Sequence, residues 1–417
     1  MQEIVQMIRA TEQETQEALT ILAGLSDLRV VGYERDEGMG EIIWLCEGLH
    51  QYGFCPRCQR VASKVHDERL RVKRDLSVFG LHSYLEYKQR RFSCEHCQRP
   101  FTEQLKEMPV GGRYTARYER YIYQQYKESS IQTIHRREGL GYKAAEGIFY
   151  RQAAAALQGP TATLVRRLGV DEISMKKRHK QFALVLSDLD RNCVIAVLEE
   201  RHKEKLEGWL DALTDEQRAA LEEVSMDMWA PYRQAIEAKV PHAQIVADRF
   251  HLMQNLNRAV TNARREIQRN AVDEVKEQLK GSRWLLVKNQ ASLSEPEHAR
   301  LAELYELSPA LKQLHLLKEA FRDIFQSQQE RDDAIWAIAD WIDLVHKRGQ
   351  HKLDTFINTL ENWAEPILNY FNQRTTQGFV EGMNNKLKLI MRRGYGYRNF
   401  DRFALRILAE CGPTLSP

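Results

Sequence analysis

Two Cys-x-x-Cys sequences constrain the N-terminal part of this chain more than any other feature. Cys55 and Cys58 belong to "CPRC", and Cys94 and Cys97 belong to "CEHC". Two such pairs supply the four thiolates of a tetrahedral zinc site. The 35 residues between the pairs exceed the usual spacing, so a hairpin has to bring them together. The β-like stretches "RLRVKRDLSV" and "LHSYLEYKQRRFSC" can form that hairpin, and we expect a small β module around one structural Zn²⁺.

These cysteines have two alternative interpretations. A redox dithiol is disfavoured because there are two pairs and no thioredoxin-like βαβ pattern around them. Histidine ligands are the second alternative, but three nearby histidines are predicted to be surface residues: His66, His82 and His96. The remaining cysteines are interpreted as ordinary buried thiols: Cys46, Cys193 and Cys411.

Length and composition favour a multidomain globular protein. The chain has 417 residues, of which 43% are apolar and 29% charged, and this balance supports more than one packed core. No apolar run reaches the length of a membrane span, and the N-terminal "MQEIVQMIRATEQETQEALT" lacks the apolar core of a signal peptide. We expect a protein of the reducing cytoplasm.

Charge is distributed unevenly although the net charge is only +3. Residues 1–50 carry 3 Lys/Arg against 10 Asp/Glu, whereas residues 51–100 carry 11 against 5. Residues 371–417 again have a basic excess, 8 against 3. Two separated basic regions indicate a polyanion contacted at two places, although scattered solvated charge is the simpler alternative.

Residues 114–157 have a helical pattern that contains a helix, a Gly-containing turn and a second helix in "IQTIHRREGLGYKAAEGIFYRQAAAAL". That outline is typical of a helix-turn-helix, although helical hairpins are common in proteins of many functions. Four cations in it are candidates for contacts with DNA: Arg136, Arg137, Lys143 and Arg151. "QGP" at 158–160 is interpreted as a linker.

A second domain begins with three β-like stretches, "RLGVDEIS", "KQFALVLSDL" and "NCVIAVLEE". Helix and strand then alternate through "LEEVSMDMW" and "AQIVADRFHLM", which predicts a mixed sheet with helices on its faces. Asp171 is predicted at the end of the first strand and Asp227 at the end of the fourth. Carboxylates on neighbouring strands can bind hard divalent cations, although a strand-end cap or an ion pair is the simpler interpretation of either one alone.

The C-terminal "GFVEGMNNKLKLIMRRGYGYRNF" predicts an amphipathic helix. Glu381 begins its polar face, and amides and cations follow. If Glu381 points at Asp171 and Asp227, the three carboxylates form a cage for divalent metal. The side chains expected to lie along a phosphate backbone are Asn385, Lys386, Lys388, Arg392 and Arg393.

At these motifs the chain resembles DDE transposases with an RNase H-like core, and most of all the ISL3 family of bacterial insertion sequences. The resemblance covers "CPRC", "FSCEHC", "GVDEIS", "DMWAPY", "IVADRFHLM" and the C-terminal block. It implies that Asp171, Asp227 and Glu381 bind two Mg²⁺ (or Mn²⁺) ions. Asp248 and His251 match an Asp-x-x-His pattern shared with Mutator-like transposases, and we interpret them as supporting residues. Asp248 also ends a predicted strand, so it rivals Asp227 for the second catalytic position.

The fold class implied is a multidomain α+β/α/β protein: a zinc-binding β module, a helix-turn-helix, and an RNase H-like mixed-sheet catalytic core interrupted by an all-helical insertion. The expected boundaries are 1–105, 106–160, 161–251, 252–372 (the insertion) and 373–417. The implied partners are double-stranded transposon ends and target DNA, bound by a homodimer or larger assembly in the bacterial nucleoid. A catalytically silent DNA-binding regulator and an RNase H-like nuclease remain the alternatives.

Overall fold

The computed structural model describes residues 2–157, 164–176, 181–328, 330–374 and 378–413, and for residues 2–12, 176 and 378–381 the description covers the backbone. The chain divides into two compact units, Met1–Gly159 and Pro160–Pro417. The predicted linker at 158–160 lies outside the described residues.

The first unit combines a mixed sheet with helices. Its elements are β1 (Leu28–Asp36), β2 (Glu41–Gly48), β3 (Gly53–Phe54), β4 (Val61–Ala62), β5 (Val65–Val78), β6 (Leu81–Cys94), β7 (Arg99–Thr102), α1 (Gln2–Ala23), α2 (Ala116–Glu128), α3 (Ile131–Glu138) and α4 (Tyr142–Leu157). The sheet order is β1-β2-β6-β5, with β7 paired to β6.

The long hairpin of β5 and β6 is the element that the cysteine spacing requires. The two antiparallel strands turn at Phe79 and Gly80, both of which have positive φ, at 50° and 81°. Glycine takes this left-handed conformation without strain. Because β6 returns along β5, its last residue, Cys94, lies beside the short β3–β4 hairpin that carries Cys55 and Cys58.

Three helices complete the first unit. Thr115 caps α2 by accepting a hydrogen bond from the Tyr118 backbone N–H, and Ser130 caps α3 in the same way from Thr133. Helix α3 ends at Gly139, whose φ of 63° reverses the chain into α4. Ile122 of α2, Ile134 of α3 and Ile148 of α4 are buried, so all three helices contribute apolar side chains to the interior of this unit.

The second unit contains a five-stranded sheet and many helices. Its strands are β8 (Arg167–Lys176), β9 (Gln181–Asp188), β10 (Cys193–Glu199), β11 (Glu223–Met226) and β12 (Gln244–Ala247). Its helices are α5 (Lys203–Asp211), α6 (Asp215–Ala219), α7 (Ala230–Lys239), α8 (Arg249–Asn270), α9 (Asp273–Gln278), α10 (Arg283–Val287), α11 (Glu295–Leu307), α12 (Pro309–Ser327), α13 (Arg331–Lys347), α14 (Asp354–Asn362), α15 (Ala364–Leu368), α16 (Tyr370–Gln373), α17 (Gly378–Arg393) and α18 (Phe400–Cys411).

The sheet has the order β10-β9-β8-β11-β12. Strands β10, β9 and β8 are antiparallel neighbours, whereas β8, β11 and β12 run parallel. One face packs in a large core with α5, α7, α8 and the helices that follow, and the other face packs against α17 and α18. Within the described residues, no helix is both long enough and apolar enough to cross a membrane.

Candidate active site and metal centre

Three aspartates form a row across the parallel part of the sheet. Val170 of β8 pairs with Met226 of β11, and Met226 pairs with Ala247 of β12. The residues that follow these three are Asp171, Asp227 and Asp248. Because the strands are parallel and in register, the three carboxylates leave the same edge of the sheet side by side, at the position where α/β sheets build their sites.

Asp171 lies within β8 and not at its end, so the sequence prediction was wrong on this point. Strand β8 continues to Lys176 because its antiparallel partner β9 is long, whereas its parallel partner β11 stops at Met226. Asp171 therefore lies where β8 is still paired with β9 but is no longer paired with β11.

The Asp171 carboxylate is held from two sides. The backbone N–H of Glu172 donates to Oδ1 at 2.7 Å, and Asn384 Nδ2 of α17 donates to Oδ2 at 2.6 Å. Burial raises the pKa of Asp171, and these two hydrogen bonds oppose the increase because they stabilise the charged form. The bond from Asn384 ties α17 to the aspartate row.

Asp227 and Asp248 differ in how many contacts each carboxylate already makes within the protein. Asp248 is buried and caps α8, accepting from the Phe250 backbone N–H at 2.9 Å, while its other oxygen lies 3.0 Å from His251 Nδ1. Asp227 keeps 41% of its side chain exposed, and its Oδ1 accepts from the Met228 backbone N–H at 2.6 Å. Of the two, Asp227 has the more available carboxylate.

His251 lies one turn into α8, between the two aspartates. Its Nδ1 is 3.0 Å from Asp248 Oδ2 and 3.8 Å from Asp227 Oδ1. Burial lowers the pKa of His251, but the contact with Asp248 and the charges of Asp227 and Asp171 outweigh that effect and raise it to about 9. The imidazolium thus offsets part of the negative charge of the row.

A second polar cluster beside the row was missed by the sequence reasoning. Glu172 accepts a hydrogen bond from Tyr232 Oη at 3.0 Å and pairs with Arg201 Nε at 2.8 Å. The Arg201 guanidinium lies 4.7 Å from the centre of the Trp229 ring. Burial raises the pKa of Glu172, and the charge of Arg201 opposes this. The members come from β8, α7 and the segments after β10 and β11, so only the folded chain brings them together.

Helix α17 packs as its amphipathic pattern predicts. Met383, Leu387 and Ile390 are buried against β8, β9 and α18. The opposite side chains are exposed as expected: Asn385, Lys388 and Arg392. The backbone of Glu381 lies in the first turn of α17, one helical turn before the Asn384 side chain that reaches Asp171. The side chain of Glu381 lies outside the described residues.

Two of the cations predicted to contact DNA have partners within the protein. Lys386 Nζ donates to the backbone carbonyl of Glu410 at 2.8 Å, and Arg393 forms an ion pair with the Glu410 carboxylate. Both contacts tie α17 to α18. Lys388 and Arg392 are therefore the better candidates for contacts with a ligand.

The four cysteines meet as predicted. The ligand atoms of Cys55, Cys58, Cys94 and Cys97 all lie within 4.8 Å of one another. Both pairs continue as Cys-x-x-Cys-Gln-Arg, and both glutamines have positive φ, 58° at Gln59 and 52° at Gln98. The two turns thus repeat one backbone geometry around four soft sulfur ligands, which is the donor set that Zn²⁺ prefers.

The four side chains of α3 and α4 that are predicted to contact DNA are exposed: Arg136, Arg137, Lys143 and Arg151. Arg151 also pairs with Glu119 of α2 at 2.7 Å. The α3 end is anchored by Glu138, which is buried and pairs with Arg74 of β5 at 3.2 Å, while Tyr118 and Tyr121 donate to its oxygens. This places α3 firmly on the sheet of the first unit and leaves its arginines in solvent.

One unit has a four-cysteine cluster and the other has a row of aspartates on a mixed sheet, and both regions match models of transposase domains. Residues 168–407 match the family model described as a transposase of the ISL3 type. Residues 51–97 match the zinc finger of the transposases of IS204, IS1001, IS1096 and IS1165. The first match covers more than half of the chain, which therefore belongs to the ISL3 family of transposases.

Individual relatives agree with this assignment. The transposase for insertion sequence element IS1001 of Bordetella parapertussis is 28% identical over 362 residues, which cover 85% of this chain and 88% of that protein. The transposase for insertion sequence element IS1557 of Mycobacterium tuberculosis is 27% identical over 280 residues, 60% of this chain and 62% of that protein. The resemblance seen in the sequence motifs is thereby confirmed.

Proposed function

We propose that this chain is a DDE transposase that binds the terminal inverted repeats of an insertion sequence and catalyses metal-dependent cleavage and transfer of its DNA strands. Asp171, Asp227 and Glu381 are its metal ligands in this proposal. The observation that carries it is the side-by-side position of Asp171 on β8 and Asp227 directly after β11, together with the Asn384 bond that ties α17, the helix of Glu381, to Asp171.

The donor set fits Mg²⁺ or Mn²⁺, because both ions prefer carboxylate oxygens. Among the described residues, Asp227 Oδ2 has no hydrogen-bond or ion-pair partner, so it can take a metal without losing a contact. Two such ions would activate the attacking hydroxyl and stabilise the leaving oxygen. Asp248 has both oxygens occupied and supports the site by holding α8 and His251 in place.

The same helix that carries Glu381 has a role in positioning DNA. Lys388 and Arg392 are exposed on the face that continues from Glu381, and cations in such a place contact phosphates regardless of base sequence. The exposed cations of α3 and α4, with the basic zinc module, would supply recognition of the ends as a helix-turn-helix. This division of roles separates binding from chemistry.

The order β10-β9-β8-β11-β12, antiparallel on one side and parallel on the other, supports an RNase H-like core. The helices between β12 and α17 would then be an insertion between the second aspartate and the glutamate. Because two ends must be joined in one reaction, we expect at least a dimer on DNA.

The test is cleavage of a duplex that carries the inverted repeats flanking the gene, by the zinc-loaded protein with Mg²⁺ and without added Mg²⁺. We expect metal-dependent nicking at the repeat boundary. Glu381→Gln should abolish nicking while binding of the ends persists, and Lys388→Ala should weaken binding with a smaller loss in the chemical step. Binding of the ends without nicking by the unaltered protein would instead favour a catalytically silent regulator.

A further inference from the structure

Helix α8 carries a polar stripe that the proposed catalytic residues do not explain. His251, Asn255, Arg258, Asn262 and Arg265 recur at intervals of four and three residues, which places them on one face of the helix. The stripe begins beside Asp227 and extends for about 21 Å at 1.5 Å per residue. The opposite face is apolar and buried, with Leu252, Leu256 and Val260 in the large core.

Two cavities lie along this stripe and share part of their lining. The first, of about 710 Å³, is bounded by Asp227, Trp229, the stripe and residues of α14. The second, of about 420 Å³, is bounded by the stripe and by Arg283 and Trp284 of α10. Arg258 and Asn262 line both, so the two cavities adjoin along α8 between the aspartate row and α10, and together they are called the α8 groove.

The groove is positively charged, and few acidic side chains neutralise the arginines of α8. Helix α8 contains five arginines and one glutamate, and that glutamate, Glu266, pairs with Lys352 at 2.5 Å. Arg258 and Arg265 have no ion-pair partner among the described residues. Burial lowers the pKa of the neighbouring Arg264, and the charges of Arg265 and Arg283 lower it further. A merely solvated helix face usually carries both signs of charge.

The far end of the groove presents an aromatic surface. Trp284 is 67% exposed, and the Arg283 guanidinium lies 4.8 Å from the centre of the Trp284 ring. An exposed indole beside cations is the combination with which proteins stack unpaired bases and hold the backbone between them. Bases inside a duplex are stacked on each other and are not available to such a ring.

We infer that the α8 groove binds a single DNA strand, with Arg258 and Arg265 on its phosphates and Trp284 stacked on a base. This rests on the proposed function, because the near end of the groove opens at Asp227, where a strand would be cut. The ligand is an unpaired polynucleotide and not a duplex. The amides of Asn255 and Asn262 would add hydrogen bonds that do not depend on sequence.

The experiment measures binding of a 20-nucleotide oligo-thymidine and of a random 20-base-pair duplex to the full-length, zinc-loaded protein, in buffer without Mg²⁺ or Mn²⁺, across a range of salt. We expect Arg258→Ala/Arg265→Ala to weaken binding of the single strand at least tenfold. The slope of log affinity against log salt should fall by about 1.4, from 0.7 for each contact to a single strand. Trp284→Ala should weaken the same binding about fivefold or more.

A charge-matched control is available in the same helical region. Lys347→Ala/Arg348→Ala removes two exposed cations that do not line the groove, and it should leave single-strand affinity unchanged. Equal loss in the groove and control variants, or loss confined to the duplex, would overturn the inference. Thermal unfolding checks that the variants are folded.

The outcome is separable from that of the proposed function because binding is measured without the Mg²⁺ that the proposed cleavage requires. If single-strand binding depends on Arg258 and Arg265 but no nicking occurs with Mg²⁺, the groove stands and the transposase chemistry fails. If nicking occurs but the groove variants bind the single strand normally, the chemistry stands and the groove assignment fails.

Discussion

The four-cysteine cluster of the first unit fits a metal ion as it stands, and the aspartate row of the second is the metal site that we propose; the two are assembled differently. The cysteine ligands come from two short turns with the same backbone geometry, and their sulfur atoms already lie within 4.8 Å of one another. The aspartates come from three parallel strands, and their alignment depends on sheet register. The four cysteines bring their ligand atoms together without any other residue, whereas the aspartate site as we propose it also needs Glu381 of α17.

This difference predicts different consequences of losing the metal. A closed thiolate site contributes its binding free energy to folding. An open carboxylate site lies on a sheet whose core is already formed by apolar side chains such as Leu168, Val170 and Val224. Loss of zinc should therefore unfold structure, and loss of a catalytic ligand should remove chemistry while leaving structure intact.

The largest effect is expected from removing the zinc ligands. Purified protein should contain about one zinc per chain, and Cys94→Ser/Cys97→Ser should lose it. Because metal binding in such sites supplies on the order of 10 kcal/mol toward folding, we expect the first unit to lose cooperative unfolding. Metal analysis and calorimetry measure both outcomes.

The buried free thiol Cys46, which is outside the cluster, provides the control. Cys46→Ser should retain the zinc even if it lowers the melting temperature. Unchanged zinc content in the double variant would show that the cluster does not hold the metal, and the comparison with the aspartate row would then collapse.

The next effect is on chemistry alone. Asp227→Ala should reduce single-turnover cleavage about a thousandfold, since it removes both a metal ligand and its electrostatic stabilisation. The melting temperature should change little because the side chain is 41% exposed. Asp215→Ala, at a 98% exposed aspartate of α6, is the control and should cleave normally. A large stability loss in Asp227→Ala would mean that the row is structural.

The comparison also explains what the sequence could predict. The cysteine pairs are local patterns, and they indicated both the metal and the hairpin. The strands of the second unit were found from their apolar runs, but the register that aligns Asp171 with Asp227 is a property of the folded sheet. Strand order and register arise from contacts between residues far apart in the chain, which single-sequence patterns do not encode.

Long-range polar contacts were missed for the same reason. The Glu172–Tyr232–Arg201 cluster joins three segments, and no spacing rule connects them. Amphipathicity correctly separated the two faces of α17. It did not reveal that Lys386 and Arg393 contact Glu410 of α18, because that partner belongs to another helix.

A smaller effect concerns the stability of the second unit away from the row. Burial, aided by the charge of Lys318, lowers the pKa of His315 from 6.5 to about 4. Above pH 6.5 the imidazole is neutral in both the folded and unfolded states. As pH falls from 6.5 to 4, only the unfolded state takes up the proton, so about 3 kcal/mol of unfolding free energy should be lost.

Denaturant titrations at pH 7 and pH 4.5 measure this dependence. His315→Gln should flatten it, whereas the exposed His298→Gln should retain it. An undiminished slope in His315→Gln would assign the pH dependence to other groups. Zinc content followed in parallel shows whether acid acts on the cysteine cluster instead, which would reverse the comparison of the two units.

The smallest effect should come from Asp248→Asn, and it decides which aspartate binds metal. Asparagine caps a helix about as well as aspartate, so α8 should remain folded. The ion pair with His251 is lost, and partners that only orient a metal site typically cost about tenfold to a hundredfold in activity. For Asp248→Asn we expect single-turnover cleavage to fall by about tenfold, because Asp227 keeps its own contact with Met228. Asp227→Asn, measured beside it, should lose about a thousandfold. If the two losses are exchanged, the metal ligand is Asp248, and the site lies one strand further along the same aspartate row.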